Sequence, residues 1–155
     1  MTSLSSRPRV RRRSKVLNKQ RRLLCRPDHL ADFADAVLNY LGASDQEVVI
    51  MLVNDSIITK YNARFLGHDR PTDVIAFPYA DSRKSRDRFE PNSYLGDILI
   101  SADTAAANAR RYRLTPAREI KNLIIHGIIH LLGYDHTTDH GQMRRLERRA
   151  RRALL

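Results

Sequence analysis

A chain of 155 residues with 42% hydrophobic content is long enough for one domain with a real core, and too apolar to be intrinsically disordered. A formal net charge of +11 points to a polyanionic partner, nucleic acid before a membrane surface, and no stretch approaches the length of a transmembrane helix. A single cysteine, Cys25, excludes an internal disulfide, suits a reducing compartment and reads as a small buried apolar residue.

Residues 1–14 are rich in Ser and Arg and contain no acid, and no apolar segment of signal-peptide length follows Arg11, Arg12 and Arg13. A disordered tail, a nucleic-acid arm and an organellar transit peptide share this composition. The folded part is expected to begin near Val16, so the working division is a flexible basic tail over 1–14 and one domain over 15–155. Residues 16–24 hold a weak strand pattern. Asp28 then opens a helix in which Leu30, Phe33, Ala34, Val37, Leu38 and Leu41 recur at helical spacing, with solvated His29 in its first turn and Gly42 closing it.

Residues 47–53 include six consecutive apolar side chains of largely β-branched type, the pattern of a strand buried on both faces. Asn54 or Asp55 caps a helix carrying Ile58, Tyr61, Asn62 and Phe65 on one side, with Gly67 at its end. A polar turn over 67–73 leads to a third strand at 74–77, stopped by Pro78. Residues 80–93 read as an exposed loop, and 95–101 as a fourth strand.

Ser101 or Asp103 caps an Ala-rich helix running to about Tyr112. Thr115-Pro116 starts the next one, which reaches Leu132 and is apolar on nearly every side from Leu123 onward, as expected of a central, buried helix. Asp139 starts a last, amphipathic helix through Met143, Leu146 and Ala150. Arg144, Arg145, Arg148, Arg149, Arg151 and Arg152 surround it, as a solvated face or a phosphate-contacting one. No internal repeat is present.

The chemistry concentrates in His126-Gly127-Ile128-Ile129-His130-Leu131-Leu132-Gly133-Tyr134-Asp135-His136. His126 and His130 are four apart and share a helix face, Gly133 suits the left-handed residue that ends a helix, and the returning chain can bring His136 toward them. Three imidazoles so arranged predict a tetrahedral zinc site whose fourth position is left to water. Histidines inside a buried helix need partners for their nitrogens, which a metal supplies. The spacing is also that of the metzincin proteases, but those carry Glu after the first His as general base, and here Gly127 holds that position. A peptidase reading keeps its metal and loses its base.

Asp135 has two readings: orienting an imidazole N–H beside the metal, or making a cap or turn contact. Asp97, entering the fourth strand, is a candidate proton acceptor whose plainer reading is a backbone-bonded turn residue. Asp69, Thr72 and Asp73 are expected to brace their turn. His68 and His140 are spare histidines, the second four residues beyond His136 and exposed, and Tyr134 is expected to pack.

With these residues in view, the chain resembles the YbeY family of bacterial endoribonucleases and rRNA maturation factors, from about residue 16 to 155. The resemblance rests on the 126–136 segment, on Asp69-Arg70-Pro71-Thr72-Asp73-Val74-Ile75-Ala76-Phe77-Pro78, and on Leu95-Gly96-Asp97-Ile98-Leu99-Ile100-Ser101. It implies an α+β fold, a four-stranded mixed sheet packed by about five helices with a central zinc-binding helix. It implies one zinc ion held by His126, His130 and His136, and no small-molecule cofactor. It further implies single-strand endoribonuclease activity in small-subunit rRNA 3′-end maturation and ribosome quality control, with rRNA and the small ribosomal subunit as partners and no membrane. The location implied is the bacterial cytoplasm, or an organelle if residues 1–14 serve in a transit peptide.

One departure stands out. Many family members have an Arg where this chain has Leu66, and Arg64 and Arg70 flank that position without occupying it. A non-catalytic ribosome-assembly factor with structural zinc is therefore the alternative. For the nuclease, three neutral ligands would leave zinc its full charge and lower the pKa of its water from about 15.7 to near 7. Attack by water and attack by the neighbouring ribose hydroxyl both remain open at this stage.

Overall fold

The computed structural model describes residues 13–79, 94–135 and 137–155. Along the chain run β1 (Lys15–Asn18), α1 (Pro27–Tyr40), β2 (Glu47–Val53), α2 (Asp55–Leu66), β3 (Val74–Pro78), β4 (Tyr94–Ser101), α3 (Ala102–Tyr112), α4 (Pro116–Leu131) and α5 (Gln142–Leu154). Among the described residues these make one four-stranded sheet in the order β1-β2-β4-β3, parallel through β4, with β3 antiparallel at the edge. The expected α+β architecture of a mixed sheet and five helices is the one observed. Of the expected tail over residues 1–14, residues 1–12 lie outside the described residues, as does the expected loop over 80–93. The folded part reaches back to Ser14, which is buried and whose hydroxyl accepts the Val48 N–H at 3.2 Å.

Register decides which side chains share a face. Ile50 pairs with Ile98, Val74 with Ile100 and Ala76 with Ile98, so these residues, with Val48 and Leu52, point toward α1 and α4. Met51, Leu99, Ile75 and Phe77 point the other way, where Ile58 of α2 packs. The strand at 47–53 is thus buried unequally on its two faces: Val48, Ile50 and Leu52 are fully covered, while on the α2 side Val53 is fully covered and Val49 and Met51 only half-covered. An unbroken apolar run hides this difference, because both faces are apolar however completely each is covered.

Helix α4 is the centre of the molecule. Thr115 Oγ1 accepts the Arg118 N–H at 3.2 Å and Pro116 occupies the first turn, a start that needs no tertiary help. Beyond it Ile120, Ile124, Ile125, Ile128, Ile129 and Leu131 are fully buried, each contributing roughly 1.5–3 kcal/mol of apolar burial. Gly127 lets this helix lie close on β4. A Cβ there would meet Ile98 Cγ2 at 2.8 Å and Cδ1 at 2.9 Å. Gly133, at φ +97°, ends the helical run as expected, its N–H donating to His130 O at 2.9 Å.

The starts of α1 and α5 differ in detail from the sequence expectation, and at α2 and α3 the structure selects one of the two caps expected. Helix α1 starts at Pro27 with Asp28 inside its first turn, not before it. Asn54 rather than Asp55 caps α2, accepting the Ile57 N–H at 2.9 Å, and Ser101 rather than Asp103 caps α3. The two acids instead tie the helix starts together. Asp55 Oδ1 accepts the hydroxyls of Ser101 (2.5 Å) and Thr104 (2.6 Å), and Asp103 Oδ2 accepts the Asp55 N–H (2.9 Å). Helix α5 begins at Gln142, three residues after Asp139, whose carboxylate reaches forward to the N–H groups of Gly141 and Met143, both at 2.7 Å.

Candidate functional site

His126 and His130 lie one turn apart on α4, their ring centroids 4.7 Å apart and their planes at 70°. Both are half-buried where the core meets solvent. Across from them α5 supplies an acid absent from the sequence expectation. Glu147 Oε1 is 2.5 Å from His126 Nδ1, and its side chain is only 9% exposed. The other oxygen, Oε2, is 3.6 Å from Arg151 Nη2. The guanidinium therefore steadies a carboxylate that would be costly to bury alone, and the carboxylate orients the imidazole.

His126 opens onto a polar cleft of about 370 Å³ lined also by Asp73, Asn108, Tyr112, Glu119 and Arg151. Its wall is one hydrogen-bonded chain. Asn108 Nδ2 donates to Asp73 Oδ2 and Glu119 Oε1, and Asn122 Nδ2 donates to Glu119 Oε2, all at 3.3 Å. Asp73 also takes the Val74 N–H at 2.8 Å on Oδ1, while its carbonyl accepts the Ser101 N–H at 2.9 Å. It braces the turn, as its place in the sequence suggests, and forms part of the cleft as well.

His136 lies outside the described residues. Asp135 Oδ1 accepts both the N–H and the hydroxyl of Thr137 at 3.0 Å, a turn contact of the kind weighed for it. Asp97 pairs in register with Phe77 and precedes Ile98, which faces Gly127, so strand alternation sends it to the sheet face away from α4. There it accepts the Tyr94 hydroxyl; burial first, then this carboxylate, raises the Tyr94 phenol above its ordinary pKa. Asp97 is not brought to the histidine pair. His68 and His140 are exposed, and neither Arg64 nor Arg70 lines the cleft. Tyr134 packs against the core, as does half-buried Cys25, whose thiol burial pushes up in pKa.

Among the described residues no group of three or more His, Cys, Asp or Glu stands ready for a metal. Two imidazoles on one face, one of them backed by a carboxylate at Nδ1, are nevertheless donors of the type that borderline cations such as zinc prefer.

Residues 15–154 match the sequence profile of the family described as Endoribonuclease YbeY. That span holds the whole sheet, the cleft and both histidines. The chain belongs to the YbeY family. Its relatives include Endoribonuclease YbeY of Aquifex aeolicus, 36% identical over 81% of this chain and 80% of that one. The Geobacter metallireducens protein of the same name is 35% identical over 88% and 89%. Among solved structures, the solution structure of TM1509 from Thermotoga maritima superposes with a TM-score of 0.60 at 25% identity, covering 90% of this chain and 87% of that one. Among the described residues no helix is long and apolar enough to cross a membrane.

Glu147 is the residue that sequence reasoning passed over in this YbeY chain, and it left a signal. It sits on the apolar stripe of α5 with Met143 and Ala150, the one acid of a helix otherwise rich in arginine. An acid on a buried stripe needs a partner. Asn108, Glu119 and Asn122 left no such mark, since each falls at an ordinary helix position.

Proposed function

We propose that this chain is a zinc-dependent endoribonuclease acting on single-stranded RNA, in the 3′-end maturation of small-subunit rRNA and in ribosome quality control in the bacterial cytoplasm. The observation that carries the reading is the His126–His130 pair with Glu147 behind Nδ1, its His126 lining a polar cleft, in a chain of the YbeY family. His126, His130 and His136 would hold the metal. Bound there, zinc supplies Lewis acidity toward a phosphoryl oxygen and toward water.

The chain's own groups do the rest. Glu147 accepts a hydrogen bond from the Nδ1–H of His126 and so sets the tautomer that presents Nε2 to a cation. Arg151 holds Glu147 and adds positive charge at the cleft, where a scissile phosphate would sit. Gly127, in the place of a protease's glutamate, leaves no base for peptide hydrolysis beside the first histidine.

The test is cleavage of single-stranded RNA by the zinc-loaded protein beside His126→Ala. Cutting by the wild type, lost in a variant that keeps its circular dichroism spectrum, is the expected result. Cutting that survives the substitution would remove the histidine pair from the reaction.

The second reading, an assembly factor with structural zinc, is favoured by one observation: Leu66 stands where many family members carry Arg, and neither flanking arginine lines the cleft. It predicts binding to small-subunit precursors without cutting, and unfolding on chelation.

A further inference from the structure

We propose that the outer face of α5 is a phosphate-binding track that delivers single-stranded RNA to the His126 cleft. The track takes its destination from the nuclease reading above, but its own chemistry is independent of cleavage. Met143, Glu147 and Ala150 are the buried residues of α5, while Arg144, Arg145, Arg148, Arg149 and Arg152 are exposed. At 3.6 residues per turn these five guanidiniums fill a continuous arc of about 140°. Arg151 borders that arc and lines the cleft beside His126, so the positive surface runs unbroken into the site.

Among the described residues no carboxylate pairs with these five arginines, and Arg145 reaches only the His140 carbonyl, at 3.3 Å. The helix's single acid, Glu147, is buried and already engaged with His126 and Arg151. Like charges four apart, as in Arg144/Arg148, Arg148/Arg152 and Arg145/Arg149, destabilise a helix. Arg144 and Arg145 also lie in the first turn, the end where the helix dipole disfavours cations, and the acid at that end, Asp139, is engaged with the Gly141 and Met143 N–H groups. An arrangement that opposes the helix on both counts is relieved by a polyanion laid across it.

The chemistry favours RNA among polyanions. No large apolar side chain is exposed on α5, so it has nothing to bury in a lipid interface and no anchor of the kind that dominates protein contacts. Arg144, Arg148 and Arg152 form a row with about 6 Å between successive members along the axis, a ladder of donors suited to successive phosphates.

The experiment is fluorescence anisotropy of a labelled single-stranded oligoribonucleotide bound by the full chain in excess chelator, repeated over a range of salt. Compared with wild type, Arg144→Gln/Arg148→Gln/Arg152→Gln should bind at least tenfold more weakly at low salt. The slope of log K against log salt should fall by about 2, the value for three lost contacts to a single strand. Melting of the variant, at or above the wild-type temperature, reports that it is folded; Arg145→Gln/Arg149→Gln on the adjoining row is the second variant. An unchanged slope in both overturns the track, as does equal displacement of the RNA by polyglutamate, or tighter binding of anionic phosphatidylserine vesicles than of RNA. Wild-type cleavage with zinc is scored separately. Cutting with unchanged slopes sinks the track alone, whereas slope changes without cutting sink the nuclease reading and leave the track.

Discussion

Glu147 concentrates the chemistry of the site in one side chain. Its carboxylate is buried between an imidazole and a guanidinium, and it links the helix that carries the histidines to the helix that carries the arginines. Carboxylates behind metal-binding imidazoles hold the ring and its tautomer, and their loss typically costs 10–100-fold in metal affinity. Glu147→Gln keeps the shape and removes the charge, so zinc affinity measured by competition with a chromogenic chelator should fall by about that factor. An unchanged affinity would make the contact a packing feature only. The acid was legible as an anomaly, since it interrupts the apolar stripe of α5. Its partner was not, because His126 is 21 residues away and only the packing of α5 on α4 brings them together.

At the scale of elements, the approach of α4 to β4 decides how much room the site has. Read in sequence, Gly127 marks a missing base; in the fold it is a contact point, where a methyl group would press on Ile98. Gly127→Ala gains about 1 kcal/mol of helix propensity but overpacks a fully buried strand residue at a cost of roughly 1–3 kcal/mol. The expected outcome is a small net loss of stability, seen as a melting temperature lower by a few degrees. A variant melting well above wild type would show that the helix has slack. Gly127→Glu, which restores the protease base on paper, drives a carboxylate into the same contact and should not fold. The helices and strands themselves were legible, because α4 and the strands announce their periods and α4 its cap. The ends of α1 and α5 shifted because Pro27 starts a helix without a side-chain cap, and Asp139 reaches α5 from outside it.

For the whole molecule, the core among the described residues is built from the chain's own apolar side chains. The layer between the sheet and α1, α4 and α5 is closed by aliphatic side chains such as Leu38, Ile50, Ile98 and Ile128, all essentially inaccessible. Chelation should therefore leave a folded protein that melts cooperatively at a reduced temperature. Zinc at a hundred times its dissociation constant should add about 2.7 kcal/mol. Differential scanning calorimetry with and without chelator checks this, and a chelated chain without a transition would support the structural-zinc alternative.

The residues alone determined the four strands, the central helix and the pairing of His126 with His130 on one face, since each depends on spacing within a few positions, while the α+β class came from the family resemblance. They also determined the excess of arginine on the last helix. Tertiary structure decided which sheet face each strand residue takes, and thereby removed Asp97 from the histidines. It also decided that a carboxylate from α5 backs His126, and that the arginine surface borders the cleft. Local periodicity fixes where a side chain points on its own element; what it meets there depends on elements distant in the chain, whose docking is set by the apolar surfaces they bury together.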